Sequence, residues 1–178
     1  MKKFLVVIIG CIIGIIPNYA QSFTLKIGIC DVEFNTLPTF DRTVEITKVK
    51  SYTYNDQTPA ENIRLNVPET IEYKSHAYTV TSIARYAFDL CPPILYLPKT
   101  ISYIGTIPFG NGLTNLIIDA ENPYYRCIDG IVYNKTETEV VACLQNVKNA
   151  VLPNSIIAIR DSAFYGSSLE TVVLPKKV

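Results

Sequence analysis

The chain contains no tryptophan, one methionine and a single histidine. A Ser/His/Asp or Cys/His nucleophile needs an imidazole base. The only one available, His76, sits in the turn-like stretch Lys74-Ser75-His76-Ala77, where a solvated turn residue is expected. Charge of one sign is also lacking: 16 Lys and Arg balance 16 Asp and Glu, net zero, with no long run of either. That removes the electrostatic case for nucleic acid or an anionic membrane as partner. No cysteine pair has C-x-x-C spacing, and Asp31-Val32-Glu33 and Glu137-Thr138-Glu139 show no calcium-loop pattern. Gly110-Asn111-Gly112 lacks the context of a phosphate-binding loop. Neither a metal nor a cofactor is expected. A glycosidase needs only two carboxylates across a cleft, which spacing alone does not exclude, so a secreted hydrolase stays open as a third reading. Charged residues are only 18% and hydrophobic ones 48%, the balance of a folded domain rather than a disordered chain.

The first segment has a separate logic. Lys2 and Lys3 precede an almost purely apolar stretch from Phe4 to Ile16, Pro17 breaks it, and Asn18-Tyr19-Ala20 offers a cleavage site before Gln21. This is the plan of a secretory signal peptide over residues 1–20. The run is shorter than the roughly 20 residues a spanning helix needs, so no membrane span is expected in the mature chain. An alternative makes Ile9-Gly10-Cys11 a lipoprotein signal with Cys11 acylated, although the apolar run continues past Cys11. Export would place Cys30, Cys91, Cys127 and Cys143 where disulfides are permitted. Cys127 and Cys143 flank a hairpin-like stretch and could pair, or all four could act as small buried hydrophobes.

The dominant signal is a repeat. Leu97-Pro98, Leu152-Pro153 and Leu174-Pro175 share one frame, the last two 22 residues apart, and Ile118 lies 21 residues after Leu97 with Asp119 in the proline position. Before each proline fall Leu95 and Leu97; Val147, Ala150 and Leu152; Leu169, Val172 and Leu174; Leu113, Leu116 and Ile118 follow suit. After Pro98 come Ile101, Ile104 and Phe109, and after Pro153 come Ile156, Ile159 and Phe164, both sets at offsets of three, six and eleven. Val80, Ile83 and Ala87-Phe88 repeat the second half. Each unit therefore reads as a short strand stopped by proline, a second extended piece and a tight helical turn carrying Phe. One unit cannot bury its single apolar edge, so units must stack into a solenoid with one continuous core. Phe88, Phe109 and Phe164 are expected to form one interior column, and Ile83, Ile104 and Ile159 another.

Ile118 to Leu152 spans 34 residues, about a dozen beyond one repeat. The surplus, residues 122–146, reads as extended runs at Ile128–Tyr133 and Glu139–Cys143 around a polar turn at 134–138. It is expected to project from the stack. Thr43–Val49 alternates as a half-buried strand does. Residues 21–79 are read as a β-rich cap, and 80–178 as the solenoid.

The runs Val80-Thr-Ser-Ile-Ala-Arg-Tyr-Ala-Phe88 and Ile156-Ile-Ala-Ile-Arg-Asp-Ser-Ala-Phe-Tyr-Gly166 resemble the repeat of BspA-like leucine-rich-repeat proteins. Asn122-Pro123-Tyr124 through Ile128 to Lys135 resembles an insertion common in that family, and Val67 to Tyr73 running into Tyr78 to Ile83 resembles its lead-in module. The likeness covers residues 65–178 strongly and 23–64 loosely. It implies a β-rich leucine-rich-repeat solenoid of short parallel strands, in a bacterial surface or secreted protein, some relatives being adhesins, with no catalytic residues to carry over. Asn134-Lys135-Thr136 matches a glycosylation sequon but also reads as a plain turn. Asp161-Ser162-Ala163 resembles a bacterial O-glycosylation motif, yet the same residues satisfy the repeat consensus.

With alternate residues pointing inward, Tyr96, Ile117, Val151 and Val173 point outward, flanked by Ile94, Asn115, Asn149 and Thr171. Such an apolar stripe on a parallel sheet is a candidate partner-binding surface, although β-branched and aromatic residues also simply suit strands. The expected function is an exported, non-catalytic, adhesin-like module that binds protein (host matrix or bacterial surface) or glycan. A structural accessory that docks or self-associates through its C-terminal end is the alternative.

Overall fold

The computed structural model describes residues 20–38, 41–59, 62–110, 112–176 and 178. The expected leader, apart from Ala20, lies outside the described residues, as does Cys11. Strands β1 (Ser22–Ile27), β2 (Cys30–Thr36) and β3 (Thr43–Tyr52) form an antiparallel meander. On β3 the period-two pattern resolves as expected, with Val44 and Ile46 fully buried and Thr43 and Glu45 only partly so. Next come β4 (Arg64–Asn66), β5 (Thr70–Tyr73) and β6 (His76–Ile83). Lys74 and Ser75, both at positive φ (49° and 62°), form the two-residue turn joining β5 to β6.

β6 also pairs in parallel with β3 (Thr43↔Thr79, Val44↔Val80). The meander and the first coil thus share one sheet, and β6 crosses the 79/80 line without interruption. The stack continues through β7 (Ile94–Leu97), β8 (Tyr103–Ile104) and β9 (Asn115–Ile118). β4, β7 and β9 form one parallel ladder, while β8 adds to β6 with Ile83 beside Ile104. Pro98 ends β7 because it has no N–H to donate. Leu95, Leu97, Ile101 and Ile104, all essentially inaccessible, are the inward edge of this coil.

No α-helix occurs among the described residues, so the expected helical turn carrying each Phe is corrected to a hydrogen-bonded turn at Phe88 and Phe164 and a bend just before Phe109. The cause is local. Tyr86, Ile107 and Ser162, each two residues before its Phe, have φ of 59°, 49° and 61°. A left-handed residue reverses the chain and cannot sit inside a right-handed helix.

The longer coil is built from β10 (Tyr125–Ile128), β11 (Ile131–Asn134) and β12 (Glu139–Cys143), followed by β13 (Asn149–Val151), β14 (Ala158–Ile159) and β15 (Thr171–Val173). β10, β11 and β12 pair antiparallel, and β12 then pairs in parallel with β14 (Val140↔Ile159). Two expectations change here. The segment 122–146 does not project: Val132, Val140, Val141, Ala142 and Leu144 are all buried, and β12 forms the rung beside β14. Its apolar run is too long to leave in water. Ile128–Tyr133 is also not one strand, because Asp129 (φ 51°) and Gly130 (φ 78°) form a two-residue turn within it.

That extra rung breaks the expected columns. Phe88 and Phe109 stack, with centroids 6.1 Å apart and planes at 19°. Phe164 packs instead in a second apolar cluster with Ile131, Tyr133 and Val140, and Ile159 lies beside Val140 rather than Ile104. Arg160 ties the rungs together: its guanidinium reaches Glu139 at 3.0 Å and the Ile104 carbonyl at 3.0 Å. Cys127 and Cys143 are free thiols. β11 stands between their strands, about 10 Å across at two strand spacings, beyond the reach of a disulfide.

Candidate functional site

The ladder registers place all eight stripe residues. On β7 and β9, Tyr96 lies beside Ile117 and Ile94 beside Asn115. On β13 and β15, Val151 lies beside Val173 and Asn149 beside Thr171. Ile117, Val151 and Val173 are 46%, 77% and 57% exposed, whereas Tyr96 and Ile94 are half-buried. The two groups of four do not form one ladder. The Asp129–Gly130 turn enters between them, its Gly130 carbonyl accepting from the Leu144 N–H at 2.8 Å, and Asn146 Nδ2 bridges to the Thr114 carbonyl at 2.9 Å. Gly130 is required there: besides its positive φ, a Cβ would lie 2.6 Å from Val147 Cγ2. The continuous stripe is therefore corrected to two patches with a turn between them.

The same turn creates a feature that the alternation of residues did not reveal. A groove of about 660 Å³ runs between the β10–β11 hairpin and the β13–β15 pair. Ile128 and Tyr133 stand on the hairpin side, Val151, Val173 and Leu174 on the other, with Asp129 and Asn149 adding polar groups. Glu137 also lines it but is held in an ion pair by Arg126. Burial pushes the Tyr133 phenol up to about 12, so at neutral pH it is an uncharged group in the wall. Thr171 Oγ1 donates to Asn149 Oδ1 at 2.5 Å, so this polar pair is satisfied internally.

The β7–β9 patch is less apolar than expected. Tyr96 donates its hydroxyl to Asp119 Oδ2 at 2.5 Å, and Lys99 lies 3.1 Å from Glu121 and 3.9 Å from Glu69. The hydrogen bond to Asp119 pushes the Tyr96 phenol up to about 12. That same bond, with the Glu121 N–H, holds the Asp119 carboxyl below its ordinary range. Asp119, where other repeats carry Pro, thus fixes the Tyr96 ring in the face.

Among the described residues no nucleophile and base are brought together. His76 is exposed at the start of β6, with Nδ1 2.8 Å from the Lys74 carbonyl. Burial pushes the Cys30, Cys127 and Cys143 thiols up to about 11 and Cys91 higher still, which leaves them protonated and unreactive at neutral pH. Among the described residues no three His, Cys, Asp or Glu side chains gather as metal ligands, and no helix is long and apolar enough to cross a membrane.

Ile128, Asp129 and Tyr133 are the groove residues that the sequence reading did not single out. Their signal was present: Asp-Gly flanked by apolar residues is a strong hairpin cue, overlooked because the surrounding run reads as one strand.

Residues 69–178 match the family described as BspA type leucine rich repeat region, in six copies. No curated protein matches the chain. Among solved structures, a leucine-rich repeat protein from Bacteroides ovatus is 22% identical with a TM-score of 0.52, over 86% of this chain and 41% of that one. A leucine rich cell surface protein from Faecalibacterium prausnitzii is 18% identical with a TM-score of 0.48, over 89% and 44%. A leucine-rich repeat protein from Eubacterium ventriosum is 15% identical with a TM-score of 0.45, over 89% and 61%. The chain spans less than two thirds of the length of each of these proteins. With parallel rungs in register and the family's repeat extending over more than half of its residues, the chain belongs to the BspA-type leucine-rich repeat family.

Proposed function

We propose that this protein is an exported, non-catalytic interaction module that binds a segment of another protein, in the manner of an adhesin, through the β7–β9 patch and the groove beside Val151 and Val173. In this reading residues 1–20 are the leader, with acylation of Cys11 as the alternative anchor, and 21–79 cap the solenoid of 80–178. The observation that carries it is the groove, where Ile128, Val151, Val173 and Leu174 are all 40% exposed or more around one concavity. Solvated apolar side chains around a concave, largely pre-formed site favour an apolar partner segment. The partner class, host matrix protein or bacterial surface protein, follows from the family's surface-exposed members.

Replacing Ile117 and Val151 together by Lys puts a charge in each patch without touching the buried edge of either strand. Binding to immobilised host matrix proteins or to the bacterium's own surface proteins should weaken by about 30-fold or more, the loss expected when a contact of about 2 kcal/mol disappears. The thermal midpoint should stay unchanged. Equal binding by variant and wild type to an identified partner removes this reading.

A further inference from the structure

We propose that a second groove, on the turn side of the coils, binds a neutral oligosaccharide of two or three sugar rings. It has a volume of about 470 Å³ and shares no residue with the groove described above. That volume is within the range of about 300–1,000 Å³ typical of small-ligand sites. Its rims are tyrosines from different coils, Tyr86 at 44% and Tyr165 at 66% exposure, with Ile107 and Phe109 between and Asp89 and Gln145 as the polar groups.

Three observations select the ligand. A sugar ring has an apolar C–H face and a rim of hydroxyls. Tyrosine offers a flat ring for the former and, with carboxylate and amide, hydrogen-bond partners for the latter. Next, among the described residues no cationic side chain lines the groove, while Asp89 contributes a negative charge. Arg85, next to Tyr86 in the chain, is engaged: its guanidinium lies 4.7 Å over the Tyr86 ring and donates to the Tyr86 hydroxyl at 2.9 Å. Sialylated, sulfated or uronic sugars would meet repulsion with no compensating partner.

The third observation is rigidity. Tyr86 (φ 59°), Ile107 (φ 49°) and Gly166 (φ 73°), all in the lining, hold left-handed backbone. For Ile107, β-branched and followed by Pro108, this is a strained conformation, and such strain concentrates at ligand sites. The rims are fixed by Tyr86 N–H to the Ile107 carbonyl (3.1 Å) and Tyr165 N–H to the Ser162 carbonyl (3.0 Å). Gly110 lets the two turns meet, since a Cβ there would lie 2.2 Å from the Asp89 carbonyl oxygen. A site whose walls are already ordered loses less entropy on binding. At the position of Tyr86 the last coil carries Ser162, so the ring is not a demand of the turn.

The test uses a printed array of neutral and acidic oligosaccharides of two to four units, probed with the full chain, with Tyr86→Asn and with Tyr165→Ser. Asn tolerates the left-handed backbone that Tyr86 occupies, and thermal melts of both variants confirm folding. The chain should retain neutral glycans only, and each substitution should weaken binding about tenfold or more. Titration with the best neutral glycan should perturb tyrosine emission, which no tryptophan obscures. Capture of acidic glycans alone, retention undiminished in both variants, or no glycan retained above the Tyr86→Asn/Tyr165→Ser double variant would each overturn the assignment.

Discussion

Asn122→Ala is expected to lower the thermal midpoint by about 10 °C, equivalent to about 3–5 kcal/mol for a chain of this size. Asn122 is fully buried yet polar, and it uses its whole amide. Nδ2 donates to the carbonyls of Pro98 (3.2 Å) and Ile101 (2.9 Å), while Oδ1 accepts the N–H groups of Tyr124 and Tyr125 (both 2.8 Å). The first pair closes the end of the preceding coil and the second starts β10, so one side chain fastens the longer coil to the regular one. Alanine would strand the Ile101 carbonyl and the N–H groups of Tyr124 and Tyr125, each costing about 1–3 kcal/mol where water does not reach, while the Pro98 carbonyl keeps the Ile101 N–H at 3.3 Å. Asn122→Asp should be equally harmful, because it keeps the acceptor but sets carboxylate oxygens against the Pro98 and Ile101 carbonyls. If Asn122→Leu instead melted with the wild type, the side chain would be filling volume and not satisfying backbone.

Phe88→Ala should cost about 3–5 kcal/mol, the usual range for emptying a buried aromatic site. Phe88 is fully buried, stacks on Phe109 and exchanges backbone hydrogen bonds with the next turn, from its N–H to the Pro108 carbonyl and from Gly110 N–H to its carbonyl, both 2.9 Å. Phe164→Ala is the control. Phe164 is only half-buried and lies in the second cluster, so its loss should be clearly smaller. Denaturant midpoints of the two variants decide it. Equal losses would mean that the columns of the two clusters are continuous after all.

Both predictions rest on the place where sequence and structure part. The regular coils were legible because their side chains repeat at constant offsets. Leu95, Leu97, Ile101 and Ile104 recur in a frame that only stacking can bury, and all four are inaccessible. The alternation on β3 and the outward direction of Tyr96, Ile117, Val151 and Val173 followed from strand geometry in the same way. The irregular coil was not legible. Its length was plain from the 34-residue interval, but periodicity carries no information about where a unique insertion packs. Repeat spacing alone puts it outside the stack, whereas its own apolar residues bring β12 between the coils.

The amino-acid sequence by itself determined the repeat and its inward edge, since each depends on residue type and spacing along the chain. Tertiary structure alone decided that the Asp129–Gly130 turn splits the strand ladder, that a groove forms beside it, and that Tyr86 and Tyr165 face one cleft from separate coils. Those outcomes depend on how far one coil is displaced from the next. The displacement is set by the volume of a single unrepeated segment, which no pattern within the repeats encodes.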